Sequence, residues 1–554
     1  MNKFMESGFK HVYNLCMDIV YSMSGGGGFR VVLTADRTLF TDYGGFPGGG
    51  FLVCLPARIV PEFILSHILC PKTPSKDGEA VLAPYSLRKI EAALIENGFD
   101  ENEVVVAHPD ELGKVIGERT RVVGITTVDP KGYAPVSRTL CGLLGGGEPC
   151  TAVEFRRLLA SSAIRKHRRH IKIIVGGPGA WQISDEDARS LGIDTVILGE
   201  GEEVVAEVFR RAIRGENLPA RLYTKPVEAR SIPRIIKPAR SGHVEITRGC
   251  GRGCQFCTQT ARRWVSFPLD HIIEEVKVNV RGGISSVCFI SDDGLRYGSK
   301  DLNVDYGAVL NLYKSVLAVE GVRSVSVTHI SFPNVVQAPN LIRSLSEMCG
   351  YNEKNPLFGP QIGLETGSPR LIEKYMIGKP KPFTPRDWPE VVVQATHILN
   401  ENHWYPCTTL IIGLPGESED DITKTLELVD DLRSYRNWLF PLFFSAMSPS
   451  RLEKEEAFTI SRMTNSHWEL IFRCYEHDIR YTKEIIDKLI IPEGIFDRRV
   501  AIRELLKMSV QVVEKYFDRF KKNPIEAVSY MSSLNMRSVW NLLKLLPLLI
   551  KTIW

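Results

Sequence analysis

EITRGCGRGCQFCTQT, residues 245–260, holds Cys250, Cys254 and Cys257 in the spacing C-x3-C-x2-C. A structural zinc site closes a tetrahedral set of four ligands, and a disulfide framework uses an even number. Three thiolates at this spacing instead suit three corners of a [4Fe-4S] cube, with the fourth iron open to another ligand. Glycines at 249, 251 and 253 let the backbone fold around such a cube, whose sulfurs need nearby amide donors. The run HVEITRG before the cysteines reads as a strand. The trio is therefore expected on a loop at a strand's carboxyl end.

Working outward, the chain has 554 residues, 44% of them hydrophobic and 24% charged, an ordinary globular composition. The formal charge of +4 is too small for this length to imply a nucleic-acid partner. The run RKHRRH (165–170) ends a helical pattern just before a strand, where cations complement the helix dipole, so it reads as a solvated face. Of the 12 cysteines, nine lie singly outside the trio. Unpaired cysteines and no evident secretory leader lead us to expect a cytoplasmic protein.

The hydrophobic rhythm divides the chain into four parts. Residues 1–28 read as an amphipathic helix with a glycine-rich end. Residues 29–225 alternate strand and helix: FRVVLTADRTLF as strand then loop, SLRKIEAALIENGF as helix, EVVVAHP, RVVGITTVDP, IKIIVGGPG and IDTVILGEGE as strands. TAVEFRRLLASSAIRKH reads as one helix. This describes a doubly wound, Rossmann-like α/β domain with its crevice at the strands' carboxyl ends. The basic, proline-rich TKPVEARSIPRIIKPARSG (224–242) reads as a linker. Six further strand candidates between 243 and 447 suggest a partial (β/α)6 barrel over 226–450, followed by a helical region over 451–554.

The cysteine spacing, with Phe256 as its aromatic residue, resembles the signature of the radical S-adenosylmethionine (SAM) superfamily. The resemblance implies a [4Fe-4S] cluster on Cys250, Cys254 and Cys257, with SAM chelated at the open iron. Reductive cleavage of SAM then gives a radical that abstracts hydrogen from unactivated carbon. FISDDG (289–294) stands where the family has a Gly-Gly-Glu-type turn, making Asp292 or Asp293 the acceptor for the SAM amino group. GLETGSPRLIEKYMIGK (363–379) is similar to the family's G-x-E-x-G-S stretch, which implies roles for Gly363 and Glu365. LIIGLPGESEDD (410–421) is similar to the segment beside the adenine, through Gly413, Pro415 and Gly416. No catalytic residue is assigned, and an electron donor such as ferredoxin is implied.

VVGITTVDP, IIVGGPGAWQ and VILGEGEE resemble the cobalamin-binding domain that precedes many radical SAM barrels. The resemblance implies cobalamin contacts at Thr126, Thr127, Gly176, Gly177, Pro178, Gly199, Gly201 and Glu202. The family's D-x-H-x-x-G histidine is missing, because Asp129 is followed by Pro130, Lys131 and Gly132. Cobalamin would then bind without a lower protein ligand; a purely structural or substrate-docking domain is the alternative.

LNMRSVWNLLKLLPLLIKTIW (534–554) carries Pro547 and two lysines among its leucines. That makes it a poor membrane span but a fair interfacial helix; the alternative is docking on the protein's own core. The opening segments also resemble an archaeal group that includes enzymes of membrane tetraether lipids. The expectation is therefore ring formation on a lipid (GDGT ring synthase), at a membrane surface. The alternatives are a cobalamin-dependent methyltransferase of a small molecule or protein, and a non-catalytic cluster-binding regulator.

Overall fold

The computed structural model describes residues 27–43, 49–489 and 498–537. Its first sheet has six parallel strands: β1 (Val31–Ala35), β2 (Val104–Val106), β3 (Val122–Thr126), β4 (Lys172–Gly176), β5 (Thr195–Leu198) and β6 (Arg221–Tyr223). They lie in the order β2-β1-β3-β4-β5-β6. Every residue of β1 and β3 is buried, as expected of parallel strands covered by helices on both faces. The strand order reverses at β1, and a doubly wound sheet opens its ligand crevice at such a switch point.

The second sheet begins with β7 (His243–Glu245), β8 (Ser286–Ile290) and β9 (Ser324–Val327), paired in parallel. It continues with β10 (Leu357–Glu365), β11 (Trp404–Ile412) and β12 (Trp438–Phe443). The two halves join where the Gln361 amide donates to the Thr328 carbonyl at 2.7 Å and the Ile330 amide donates to Gln361 at 3.1 Å. All six strands read from the sequence are present, in order, as an open barrel.

Both free edges of that barrel are covered by the first layer. On the β12 side, helix α2 (Pro135–Leu143) presents the Thr139 hydroxyl, which accepts from the Phe443 amide at 2.7 Å. Phe51 stacks on Phe440 with ring centres 4.1 Å apart. On the β7 side, Tyr85, which opens helix α1 (Tyr85–Glu96), donates to Glu275 at 2.7 Å and accepts from the Glu245 amide at 3.1 Å. Glu275 also accepts from Lys89 at 2.5 Å and from the Ile235 amide at 2.9 Å. Burial pushes its carboxyl upward, but bonds from His271 and Lys89 outweigh burial and hold it below the ordinary range.

Three local expectations change. The segment after β1 is a helical turn rather than a loop, because Asp36 accepts from the Thr38 amide at 3.0 Å and so caps Arg37–Phe40. The stretch 151–167 divides into α3 (Cys150–Leu159) and α4 (Ser162–His167), since Ser161 caps a new helix by accepting from the Ile164 amide. The presumed linker is a packed strap: Ile232, Ile235 and Ala239 are buried, and Lys89 donates to the Pro233 carbonyl at 2.6 Å.

The last part is helical, with α5 (Asn465–Leu489), α6 (Arg498–Lys522) and α7 (Pro524–Ser533). It returns to the first layer, where Arg58 donates to the carbonyls of Met531 (2.5 Å) and Leu534 (2.7 Å). The expected helix at 1–28 and the interfacial tail fall almost wholly outside the described residues. No helix among the described residues is long and apolar enough to cross a membrane.

Removing the Glu275 carboxylate strands Lys89 and three further donors. Glu275→Ala should cost about 3–5 kcal/mol of unfolding free energy in a urea titration. Its neighbour Glu274 makes a surface pair with Lys277, so Glu274→Gln should leave the urea midpoint essentially unchanged. Equal losses for the two would remove the argument that this carboxylate anchors the barrel edge.

Candidate functional site

The cysteine loop leaves β7 at its carboxyl end. Gly249 has φ +78°, and a Cβ there would stand 2.7 Å from the Arg263 carbonyl oxygen, so only glycine lets the loop begin. Cys254 is buried and Cys250 and Cys257 are half-buried. Burial pushes all three thiols up, Cys254 to about 12 and Cys257 to about 11. Mutual repulsion of the sulfurs adds to this at Cys254 and Cys257, while the Lys379 ammonium opposes it at Cys254. Such thiols become thiolates readily only against a bound cation.

Four sulfurs around one zinc at bonds of about 2.3 Å stand about 3.8 Å apart. A cube gives each thiolate its own iron and spreads them wider. Three thiols on one loop match the three protein-held corners of a cube, whereas a structural zinc takes four ligands.

Arg252, between two of the cysteines, is the main residue that sequence reasoning missed. Its side chain is buried and donates to the carbonyls of Lys379 (2.9 Å) and Lys381 (3.2 Å), to Ser331 (2.9 Å) and to Asn334 (2.9 Å). It also reaches Asp293 at 3.3 Å. One guanidinium thus ties the loop to the ends of β8 and β9 and to the segment after β10. An arginine flanked by glycines in a polar loop gives no sequence signal of burial.

The two aspartates after β8 separate clearly. Asp293 is fully buried, and its Oδ2 accepts from Ser331 and Asn334, each at 2.9 Å, besides Arg252. Asp292 is half-buried, accepts from the Gly249 amide and lies within electrostatic reach of Cys250 and Cys257. Burial raises its carboxyl to about 6, with Arg262 pulling the other way. Asp292 is placed to meet a cation at the cysteine loop; Asp293 holds the loop's frame.

At the end of β10, Glu365 has φ +66° and pairs with Lys379 at 2.8 Å. A Cβ on Gly363 would stand 2.7 Å from the Lys379 ammonium, so that glycine makes room for the pair. After β11, Gly413 has φ +80° and the space beside it is filled by the Phe458 ring. The Pro415 carbonyl accepts from Tyr375 at 2.5 Å and that of Gly416 from Arg370 at 2.8 Å. Phe256 packs half-buried against the barrel core. The trio, Asp292, Glu365 and the 413–416 turn thus occupy the carboxyl ends of β7, β8, β10 and β11.

In the first sheet, the Thr127 amide donates to the Gly176 carbonyl at 3.0 Å. A Cβ on Gly177 (φ +96°) would stand 2.5 Å from Thr126 Oγ1, so this glycine serves the close approach of two strand ends. A Cβ on Gly199 would strike the Thr224 hydroxyl, Gly201 has Ile90 beside it, and Pro178 is exposed. Thr127 Oγ1 and Asp129 Oδ2 are buried without a hydrogen-bond partner, an orphan pair that suits a polar ligand at this crevice, while the nearby Ser137 side chain bonds to the Cys54 thiol. The Asp129–Gly132 turn is held internally: Asp129 accepts from Gln182 at 2.7 Å, and Lys131 pairs with Asp187 at 2.7 Å.

Glu202 does something the sequence did not suggest. It accepts from Arg248 at 2.9 Å, while Glu200 and Glu245 accept from the same guanidinium at 2.8 Å. The loop after β5 is thereby bound to the residue two positions before Cys250.

Asp293→Asn replaces an acceptor that Arg252 and Asn334 require, and should cost about 3–5 kcal/mol of stability. Asp292→Asn should leave stability unchanged or raise it, because a carboxylate whose folded value is raised opposes folding at neutral pH. Denaturant titrations at pH 7 read both, and a larger loss for Asp292→Asn would reverse the two assignments.

Residues 244–429 match the model of the Radical SAM superfamily. The ribosomal protein uS12 methylthiotransferase RimO of Leptospira biflexa is 24% identical over 309 residues, 53% of this chain and 63% of that protein. RimO of Aquifex aeolicus is 27% identical over 216 residues, 38% of this chain and 46% of that protein. The tRNA-2-methylthio-N(6)-dimethylallyladenosine synthase of Thermotoga petrophila is 24% identical over 285 residues, 48% of this chain and 57% of that protein. The chain thus spans about half to three-fifths of the curated relatives it matches. Among solved structures, the radical S-adenosylmethionine methyltransferase TsrM from Kitasatospora setae, with tryptophan and a SAM analogue bound, superposes with TM-score 0.52 at 14% identity. That match covers 76% of this chain and 75% of TsrM. TsrM with cobalamin and a [4Fe-4S] cluster gives 0.50, also at 14% identity, covering 77% of each chain. At this identity the likeness is one of fold. A Rossmann-like α/β layer, a partial barrel and a helical end make up the chain, and residues 244–429 are a radical SAM superfamily domain.

Proposed function

We propose that the chain is a cobalamin-using radical SAM enzyme that transfers a methyl group to an unactivated carbon of a small molecule or protein. The observation that carries this reading is the Arg248 clamp. It joins the loop after β5 to the residue two positions before Cys250, which supports a ligand of the first sheet's crevice working together with one at the cysteine loop. The orphan polar atoms at that crevice, and a fold shared with TsrM over three-quarters of both chains, support it. When bound, the cluster supplies an electron for SAM cleavage and cobalamin supplies a methyl carrier.

Within this reading Cys250, Cys254 and Cys257 hold the cluster, and a ferredoxin-type donor reduces it. Asp292 accepts the SAM amino group, a charge-assisted bond for which its raised carboxyl is suited once a cation arrives. Glu365, fixed by Lys379, borders the same space, and the 413–416 backbone passes beside the adenine. The Asp129–Gly132 turn offers no histidine, so this turn would give cobalamin no nitrogen ligand, and Thr127 and Asp129 would hold it through their free oxygens.

A second reading, ring formation within a membrane tetraether lipid, draws on the apolar tail 538–554 and on the opening segments. The relatives and the fold neighbour reported above are methyl- or methylthiotransferases, which favours the first reading.

Anaerobic turnover with methyl-labelled SAM separates the two. Methyl transfer predicts label in the product; ring formation predicts 5′-deoxyadenosine with an unlabelled product. Replacing all three cysteines by alanine should abolish the cluster's visible absorbance and all SAM cleavage, and a triple variant that still cleaves SAM would defeat both readings. For the lipid reading, truncation after Arg537, which keeps the Arg537 and Met536 bonds to 58–62, should release the protein from liposomes with its iron intact. Iron loss in that truncation would make the tail part of the core and end the membrane argument.

A further inference from the structure

RKHRRH reads from the sequence as a solvated basic face, yet two of its residues turn inward together. His167 is buried, and its Nδ1 lies 3.4 Å from Oε1 of Glu118. His170 packs edge-on against His167 with ring centres 5.4 Å apart. Its Nε2 is shielded from water and bonds to nothing among the described residues. One ligand atom from each of Glu118, His167 and His170 falls within 4.8 Å of the others, the one such group among the described residues.

We propose that Glu118, His167 and His170 form a binding site for a divalent transition metal, zinc by its donor set. Two imidazoles and a carboxylate are ordinary zinc donors. Ligands about 2.0–2.1 Å from one tetrahedral ion stand about 3.3–3.4 Å apart, and the Glu118–His167 pair already has that separation. A metal would also give the orphan imidazole nitrogen its partner. With three protein ligands, the fourth position goes to water.

The site lies at the opposite end of the sheet from the crevice. Glu118 precedes β3 and the histidines precede β4, and the Lys172 amide donates to the Arg121 carbonyl at 2.8 Å where these two segments enter the sheet. A bound ion pins the two entering segments, which is a structural role. Arg165, Lys166 and Arg169 are exposed on the same stretch and repel a dication. The affinity therefore falls short of a closed four-ligand site.

The test uses the full-length, iron-loaded protein, stripped of loosely bound metal and dialysed anaerobically against zinc chloride. The expected result is one retained zinc per chain, with an X-ray absorption first shell of nitrogen and oxygen at about 2.0–2.1 Å and no sulfur near 2.3 Å. The double variant His167→Ala/His170→Ala should lose that zinc and keep its iron. Should it fail to fold, Glu118→Gln, at an exposed side chain, must weaken zinc binding by about tenfold or more, the loss that even an outer-sphere partner causes. Absence of retained zinc, a sulfur shell, or unchanged retention in the folded variants would each overturn the proposal. None of these outcomes depends on SAM or cobalamin chemistry.

Discussion

One buried cation, Arg248, organises this protein. Its guanidinium meets Glu245 at the end of β7, and Glu200 and Glu202 from the loop after β5, at 2.8–2.9 Å. Taking an arginine out of water is costly unless carboxylates replace the solvent, and here three do. Burial pulls its guanidinium down, and the three carboxylates more than compensate, holding it firmly protonated. Two crevices that fold from separate stretches of sequence therefore cannot drift apart without exposing an uncompensated charge.

A second arginine extends this logic across the barrel. Arg252 uses its donors on backbone carbonyls after β10, on two side chains after β9 and on Asp293 after β8. Planar, always charged and rich in donors, arginine can link several loops at once, which lysine could not. The cysteine loop is long and glycine-rich, and would otherwise sample many shapes. Arg252 narrows them from inside, so the thiols are presented together before any metal arrives.

The barrel itself is incomplete, and an open parallel sheet leaves edge groups to satisfy. Thr139 and the Phe51–Phe440 stack cover one edge, and the Tyr85, Lys89 and Glu275 network covers the other. The first layer thus closes the second. The strap from 224 to 242 shares in this by giving its backbone to Lys89 and Glu275.

Much of this was legible in the chain alone. Apolar runs closed by glycine, proline or aspartate marked both sheets, because strand burial depends on local pattern. The cysteine spacing marked the cluster loop, because ligand geometry constrains residues close in sequence. The helix break at Ser161 and the helical turn that starts at Asp36 were harder, since a single capping hydrogen bond decides each. The roles of Arg248, Arg252, Asp293 and His167 could not be read at all. Each depends on partners from other elements, such as Glu200 to Arg248 or Ser331 to Arg252, and a charged residue in a polar stretch looks solvated until folding surrounds it. Sequence thus determined the elements and the metal-binding spacing. Tertiary structure decided which charges are buried, because desolvation and ion pairing arise only when distant segments meet.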